Sequence, residues 1–389
     1  MKIRLNDNFN RLEPNYLFSE IAHRVEIYKK ENPHKKIISL GIGDVTLPIP
    51  SSIAKEMSRA SLSLATKEGF VGYGDTLGLP ALRKAISDKY KKRNVILNED
   101  EIFINDGAKS DLGNVSDILG SNKVYICNPV YPVYLDSNLI SGQEIQFLNA
   151  NTKNNFLPSP QNSKNVPSVI YLCSPNNPTG AVFSKEKLQK WVDFALSSGS
   201  LIIFDAAYES YISDFSLPHS IFEINGANNC AIEICSFSKS AGFTGVRCGW
   251  TAIPSNLPLN SLWKRRQNTK FNGASYISQR GALASLSESG EKETEQNIRY
   301  YMKNAQKIAS FLKKKKIFYT GGENAPYLWL KIPNQMSSWE FFDYLLNNAG
   351  VVGTPGVGFG SEGEGFFRFS SFASEENVNL ALRQLDSVL

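Results

Sequence analysis

The stretch "SVIYLCSPNNPTGAVFSKEKLQKWVDFALSSGSLIIFD", residues 168–205, changes periodicity twice. SVIYLC (168–173) is a nearly continuous apolar run that stops in the turn-rich loop SPNNPTG, the pattern of a strand buried on both faces. From Ser184, a good N-cap residue, Leu188, Trp191, Val192, Ala195 and Leu196 recur at i, i+3, i+4, i+7 and i+8, which predicts an amphipathic helix ending at Gly199. LIIF (201–204) then returns as a second buried strand. Strand, helix and strand in succession form one crossover of a parallel sheet. That crossover delivers Asp205 to the carboxyl end of its strand.

Working outward, AIEIC (231–235) reads as a third such strand and stops just before Ser236, Phe237, Ser238 and Lys239. In open parallel sheets ligands bind beyond the carboxyl ends of the strands, where Asn177, Asp205 and Lys239 all fall. EIFI (101–104) leads through NDGAKSD into a helix, a turn whose free N–H groups suit an anion. GYGDTLGLPALRKAISDKY is a loop followed by a helix with Pro80 in its first turn. Residues 291–316 predict a long polar helix with a lysine-rich end that complements its dipole. YLWLKI, a helix near SWEFFDYLLNNAG, the strand GFFRFSS and a final helix from Ser374 make a smaller α+β unit. An N-terminal helix bearing Leu17, Ile21, Val25 and Tyr28, broken at Pro33, packs with that unit. The expected fold is therefore α/β, a large domain over 46–285 with a mostly parallel sheet between helices, and a small domain from 1–45 and 286–389.

With 389 residues, 42% hydrophobic and 20% charged, the chain has the composition of a globular protein of more than one core. It has no apolar leader and no window near the ~18 apolar residues of a membrane span, so a cytoplasmic location is expected. Five cysteines without any C-x-x-C, several inside apolar runs, read as buried thiols, and three scattered histidines argue against zinc or a histidine triad. A net charge of +5 without basic stretches interleaved with aromatics gives no sign of nucleic-acid binding.

Gly358, Gly360 and Gly363 match G-x-G-x-x-G, but a strand follows where a helix should, so they read as a flexible loop. GAKS (107–110) lacks the first glycine of a P-loop. Taken singly, Asp205 is a capping carboxylate, Asn177 a turn residue and Lys239 a surface lysine. Together they match the demands of one cofactor, pyridoxal phosphate. It needs a lysine to bond its aldehyde, a carboxylate to keep its ring nitrogen protonated, and donors for its phosphate. Asp205 is expected to meet the ring nitrogen, with Asn177 and Tyr208 near the ring hydroxyl. Ser236, Ser238, Arg247 and the backbone at Ala108 and Lys109 hold the phosphate.

The chain resembles the fold-type I pyridoxal-phosphate aminotransferases over nearly its whole length, through SPNNPTG, DAAY, SFSK, GVRCGW and GFFRFSS. More narrowly, NYLF, SLGIGD, GYG, DGAKSD, DAAYESYISD, SIFEI, FNGAS and ENAPYLWLK resemble the LL-diaminopimelate aminotransferase family. That family makes LL-diaminopimelate from tetrahydrodipicolinate with glutamate as amino donor. The resemblance implies that Lys239 is the cofactor-bonding lysine, Asp205 its ring-nitrogen partner and Tyr131 the residue stacked on the ring. It implies that Arg368 grips the substrate α-carboxylate rather than lying on a strand surface. Tyr16, Gly43, Lys109 and Asn177 would line the substrate site, with Tyr73 and Asn272 reaching in from the second subunit of a homodimer. The small-molecule partners would be amino acids and 2-oxo acids.

Two departures from that family stand out. An acidic residue is expected three positions after Tyr73, yet Gly74, Asp75 and Thr76 follow, so the carboxylate is one place early; Asp75 is expected to replace it at the substrate's distal ammonium. The turn before Tyr131 reads Asn128-Pro129 instead of Asp-Pro, a change confined to a turn hydrogen bond. The rival readings are an aminotransferase for lysine or another amino acid, a lyase using the same lysine, and a regulator built on the same scaffold.

Overall fold

The computed structural model describes residues 3–13, 17–41, 43–160 and 166–389. Thirteen strands are numbered in chain order: β1 (Ile38–Ser39), β2 (Ile102–Asn105), β3 (Lys123–Asn128), β4 (Glu144–Asn149), β5 (Ser168–Cys173), β6 (Leu201–Asp205), β7 (Ala231–Ser236), β8 (Gly249–Ala252), β9 (Tyr319–Gly321), β10 (Tyr327–Lys331), β11 (Val351–Val352), β12 (Thr354–Pro355) and β13 (Phe366–Ser370). Seven of them form the central sheet in the order β2-β8-β7-β6-β5-β3-β4. Only β8 runs against its neighbours, so the sheet is mostly parallel, as the uninterrupted apolar runs require. Every residue of β2, β5 and β7 is buried, and helices cover both faces.

The crossover of residues 168–205 forms as the periodicity predicts. Its helix, Lys185–Ser198, is capped by the Ser184 side chain and closed by Gly199 in the left-handed conformation. Leu196 is a correction, since it is 44% exposed; the buried stripe consists of Leu188, Trp191, Val192 and Ala195, narrower than the apolar pattern suggested. The long helix spans Glu288–Lys314, starting earlier than 291 because Ser287 caps it. Glu101 lies in a 3-10 turn rather than in β2.

A second sheet, β12-β13-β10-β9, is antiparallel, and β1 pairs with β11 in parallel. Its core joins Tyr28, Ile38 and Leu40 from the N-terminal segment to residues of the long helix, β10, β13 and the helices Ser338–Ala349 and Glu375–Asp386. The larger core runs from Ile53 to Ala282. The glycine triad is also corrected: Gly358, Gly360 and Gly363 lie in two packed 3-10 turns, where a Cβ on Gly358 would meet Leu17 at 2.2 Å. Asn128 holds these turns, donating to Ser361 Oγ and accepting from the Glu362 N–H, so the departure from Asp-Pro is a change of turn hydrogen bonding. Among the described residues no helix is long and apolar enough to cross a membrane.

Candidate active site

The carboxyl ends of β5, β6 and β7 open into a cavity of about 440 Å³ roofed by β10 and β13. Ala108, Lys109, Tyr131, Asn177, Asp205, Tyr208, Ser236, Ser238, Lys239, Arg247, Gly43 and Arg368 all line it. Tyr73 and Asn272 are exposed and do not line it, and Asp75 is absent from it as well. Tyr16 lies outside the described residues.

Lys239 sits in the single helical turn Phe237–Ser240 that follows β7, a turn capped by Ser236, whose hydroxyl accepts the Ser238 N–H. Tyr211 donates to the Lys239 carbonyl and anchors the turn from the side. The amine donates to Gly43 O at 2.5 Å. Burial lowers its pKa to about 8, helped by Arg368 and Arg247 and opposed by Asp44. An amine so placed is neutral for part of the time near neutral pH and can act as base or nucleophile.

Asp205 ends β6. One oxygen accepts from the Ala207 N–H at 2.9 Å and the other from the Tyr134 hydroxyl at 2.5 Å. Burial raises its pKa and these two donors oppose the rise; among the described residues no cation takes part. Arg368 on β13 is 1% exposed. It donates to Asn177 Oδ1 at 2.6 Å, Gly41 O at 2.9 Å and Thr354 Oγ1 at 3.3 Å, while its Nε has no acceptor among the described residues. The guanidinium lies between the rings of Tyr327 and Phe359, 4.4 and 4.9 Å from their centroids. Desolvation lowers its pKa and no carboxylate offsets that. A buried cation without a counter-anion, facing a cavity, is a site for the anion of a ligand.

The third charged corner is Arg247, which donates to Ser238 Oγ at 3.3 Å and to Thr244 O at 3.2 Å. It takes a left-handed conformation at φ 66°, which costs a non-glycine residue about 1–2 kcal/mol. Gly107 makes room for it: at φ 120° a Cβ there would lie 2.3 Å from Arg247 Nη2. Gly107 leads into the helix Ala108–Asn114, whose position is fixed by Asn105 and Thr251, both donating to Asp111. Serine hydroxyls, a guanidinium and the Ala108 and Lys109 segment thus meet at one end of the cavity, the donor set a phosphate requires.

Three further residues of the site were given no role from the sequence, although Asp44 ends SLGIGD and Tyr327 lies in ENAPYLWLK. Tyr134 follows Tyr131 by three residues and lines the cavity with it. Tyr327 shares a 2.7 Å hydrogen bond with Tyr208 and packs on Arg368. Asp44 lines the cavity beside Gly43. The signal for Tyr134 is its closeness to Tyr131 across the turn that enters the helix Val133–Ile140, where the Tyr134 N–H donates to the Tyr131 carbonyl at 3.3 Å. Asn177 and Tyr208, expected near a ring hydroxyl, are each tied to a substrate-side partner as well, Arg368 and Tyr327.

The sequence profile of the family described as "Aminotransferase class I and II" matches residues 35–385. The chain belongs to the class I and II aminotransferases. Pyridoxal 5'-phosphate is the cofactor of this family, and the donor set fits it: an amine, a cation-free buried carboxylate and an anion cradle converge on one cavity. Among relatives, the chain is 49% identical to an LL-diaminopimelate aminotransferase of Lachnospira eligens and 48% identical to one of Prochlorococcus marinus subsp. pastoris, covering 99% of this chain and 100% of each relative. The solved structure of the L,L-diaminopimelate aminotransferase from Chlamydomonas reinhardtii superposes with a TM-score of 0.95 at 41% identity, over 100% of this chain and 99% of that one.

Proposed function

We infer that this aminotransferase transfers an amino group between LL-diaminopimelate and 2-oxoglutarate, giving tetrahydrodipicolinate and glutamate, and that its physiological direction is LL-diaminopimelate synthesis for lysine and peptidoglycan. The observation that carries the reading is one cavity lined by Lys239 and by two buried charges without an opposite partner among the described residues, the Asp205 carboxylate and the Arg368 guanidinium. The names of relatives of nearly half identity over their full length support the substrate.

When bound, the cofactor supplies an electron sink for charge developing at the substrate's α-carbon. Asp205 holds the negative charge that keeps a ring nitrogen protonated. Ser236, Ser238, Arg247 and the backbone at Ala108 and Lys109 would hold the phosphate, and Tyr131 would pack against the ring. Arg368 binds the α-carboxylate of donor and acceptor alike, and Asn177 and Thr354 fix the plane of its fork. Lys239 Nζ, held by Gly43 O and lowered to about 8, takes the α-proton and returns it. Gly43 and Lys109 line the same cavity and would meet the substrate there.

Tyr73, 91% exposed, and Asn272, also exposed, fit a role in a neighbouring subunit, and a homodimer with shared sites is part of this reading. The two cores support a cofactor-binding domain over 46–285 and a small domain from 1–45 and 286–389. Purified protein mixed with LL-diaminopimelate alone should convert its cofactor to the pyridoxamine form, and 2-oxoglutarate should reverse the spectral change. A lyase would leave no stable pyridoxamine, and a substrate panel in which another amino acid outruns LL-diaminopimelate would remove the narrow assignment.

A further inference from the structure

We propose that Tyr134 is a positioning residue for the reaction, its hydroxyl fixing the Asp205 carboxylate as an anion in one orientation toward the cofactor's ring nitrogen. This rests on the reading above that Asp205 faces that nitrogen. The hydroxyl donates at 2.5 Å to Asp205 Oδ2, and the Ala207 N–H donates to Oδ1, so both oxygens are held and the carboxylate cannot rotate. Both donors are neutral. They stabilise the anion without supplying the positive charge that would compete with a protonated ring nitrogen for it.

Tyr134 is itself immobilised. It is 1% exposed in the first turn of the helix Val133–Ile140. Its ring stacks on Tyr171, with centroids 5.4 Å apart and planes 25° apart, and meets the edge of Tyr131 at 6.1 Å. The Asn138 amide donates to its carbonyl. One short segment therefore supplies both Tyr131 at the cavity wall and the clamp on Asp205, and the two rings hold each other in place.

Burial pushes the Asp205 pKa up, and the Tyr134 donor opposes that. Without the donor the proton shared between carboxylate and ring nitrogen moves toward the carboxylate, the ring loses positive charge, and its capacity as an electron sink falls. Tyr134→Phe removes one oxygen and keeps the ring packing, so the fold is expected to survive.

The test uses holoenzyme reconstituted with pyridoxal phosphate labelled with 15N in the ring. Wild type should show the shift of a protonated ring nitrogen across pH 6–9. Tyr134→Phe should move that shift toward the unprotonated value, and kcat should fall about 10-fold with KM changed less than about twofold. Asp205→Asn marks the unprotonated limit. A wild-type nitrogen that is already unprotonated would overturn the underlying placement of Asp205. A protonated wild type with an identical shift in Tyr134→Phe would overturn the role of Tyr134 alone, whatever happens to kcat. Should the Phe variant fail to fold, tyrosine replaced by 3-fluorotyrosine gives a more acidic phenol and tests the same dependence, and an unchanged 15N shift there again counts against the proposal.

Discussion

Strand β7 carries a polar cluster on each face, and the two satisfy their charges differently. On one face, Glu233 and Cys235 border a cavity of only about 20 Å³. There Glu209 pairs with Lys89 and with His219 at 3.2 Å, and Glu233 accepts from the Tyr90 hydroxyl at 2.6 Å, the Ser220 hydroxyl at 2.7 Å and the Ile221 N–H at 2.8 Å. On the other face, Ser236 borders the 440 Å³ cavity, where among the described residues Asp205 has two neutral donors and no cation, and Arg368 has neutral acceptors and no carboxylate. Both clusters are buried and rich in charge, so burial alone does not mark a site. What marks it is a cavity between opposite charges that the protein leaves uncompensated, since desolvated charges are costly unless something meets them.

The sharpest way to break this contrast is Lys239→Ala. Removing the amine takes away both the cofactor bond and the base, and the half-reaction with LL-diaminopimelate should slow by about 10⁴-fold. Borohydride reduction of wild type followed by peptide mapping should place a pyridoxyl group on Lys239, and the variant should carry none. A label on another lysine would refute the assignment.

The rear cluster predicts an effect on stability. Burial raises the Glu233 pKa to about 7 from 4.5; the Tyr90, Ser220 and Ile221 donors oppose the rise and the charge of Glu209 adds to it. Its folded form therefore keeps a proton that the unfolded chain loses. The contribution is fully favourable below about pH 4.5 and is lost as pH rises to 7, by roughly 3 kcal/mol at most. Glu209 has the opposite sign: Lys89 and His219 depress its pKa far below the usual range, so its stabilisation is present above pH 4.5 and lost in acid. Denaturant unfolding at pH 5 and pH 7.5 should show Glu233→Gln losing less stability over that interval than wild type. Equal slopes would mean that Glu233 is ionised throughout in the folded protein.

Arg368→Lys addresses the front face at somewhat smaller scale. The charge stays, but the fork that meets a carboxylate plane is lost, so kcat/KM should fall about 10²-fold for LL-diaminopimelate and for glutamate together. Steady-state kinetics with each amino donor checks this, and a defect confined to one of them would contradict a shared α-carboxylate site.

The front face was far more legible in the sequence than the rear. Lys239, Asp205 and Asn177 fall where apolar runs stop, and in a parallel sheet those ends are brought together by topology, so their proximity follows from periodicity alone. Arg368 was reached only through a resemblance, because nothing in GFFRFSS says which face of β13 it occupies. The rear cluster assembles residues from the helix Pro80–Lys91, β7, β8 and the 209–220 segment, whose packing no local pattern encodes. Its one visible trace was Glu233 inside AIEIC, a charge in a run otherwise fit for full burial. Leu196 erred the other way, an apolar residue at helical spacing that the sheet does not reach.

The smallest effect concerns the substrate's second ammonium, and here the geometry changes the expectation for Asp75. Its carboxylate lies 3.0 Å from Arg83 and accepts the Leu77 N–H at 2.8 Å, while the neighbouring Thr76 donates to Asn268 at 2.5 Å. An acid already neutralised by an arginine is a poor receptor for another cation, and removing it frees Arg83 and loosens the loop that presents Tyr73. Asp75→Ala should therefore lower kcat/KM for LL-diaminopimelate and glutamate by similar factors, about threefold each. Asp44 is differently placed. It lines the cavity beside Gly43, and its charge supports the protonated form of Lys239, so it is within electrostatic reach of a bound diamine. Asp44→Asn should lower kcat/KM for LL-diaminopimelate about 10-fold more than for glutamate, the scale of one lost charge-assisted hydrogen bond of ~1.5 kcal/mol. If Asp75→Ala instead discriminates between the two substrates and Asp44→Asn does not, the loop after Tyr73 must rearrange and release Asp75 from Arg83.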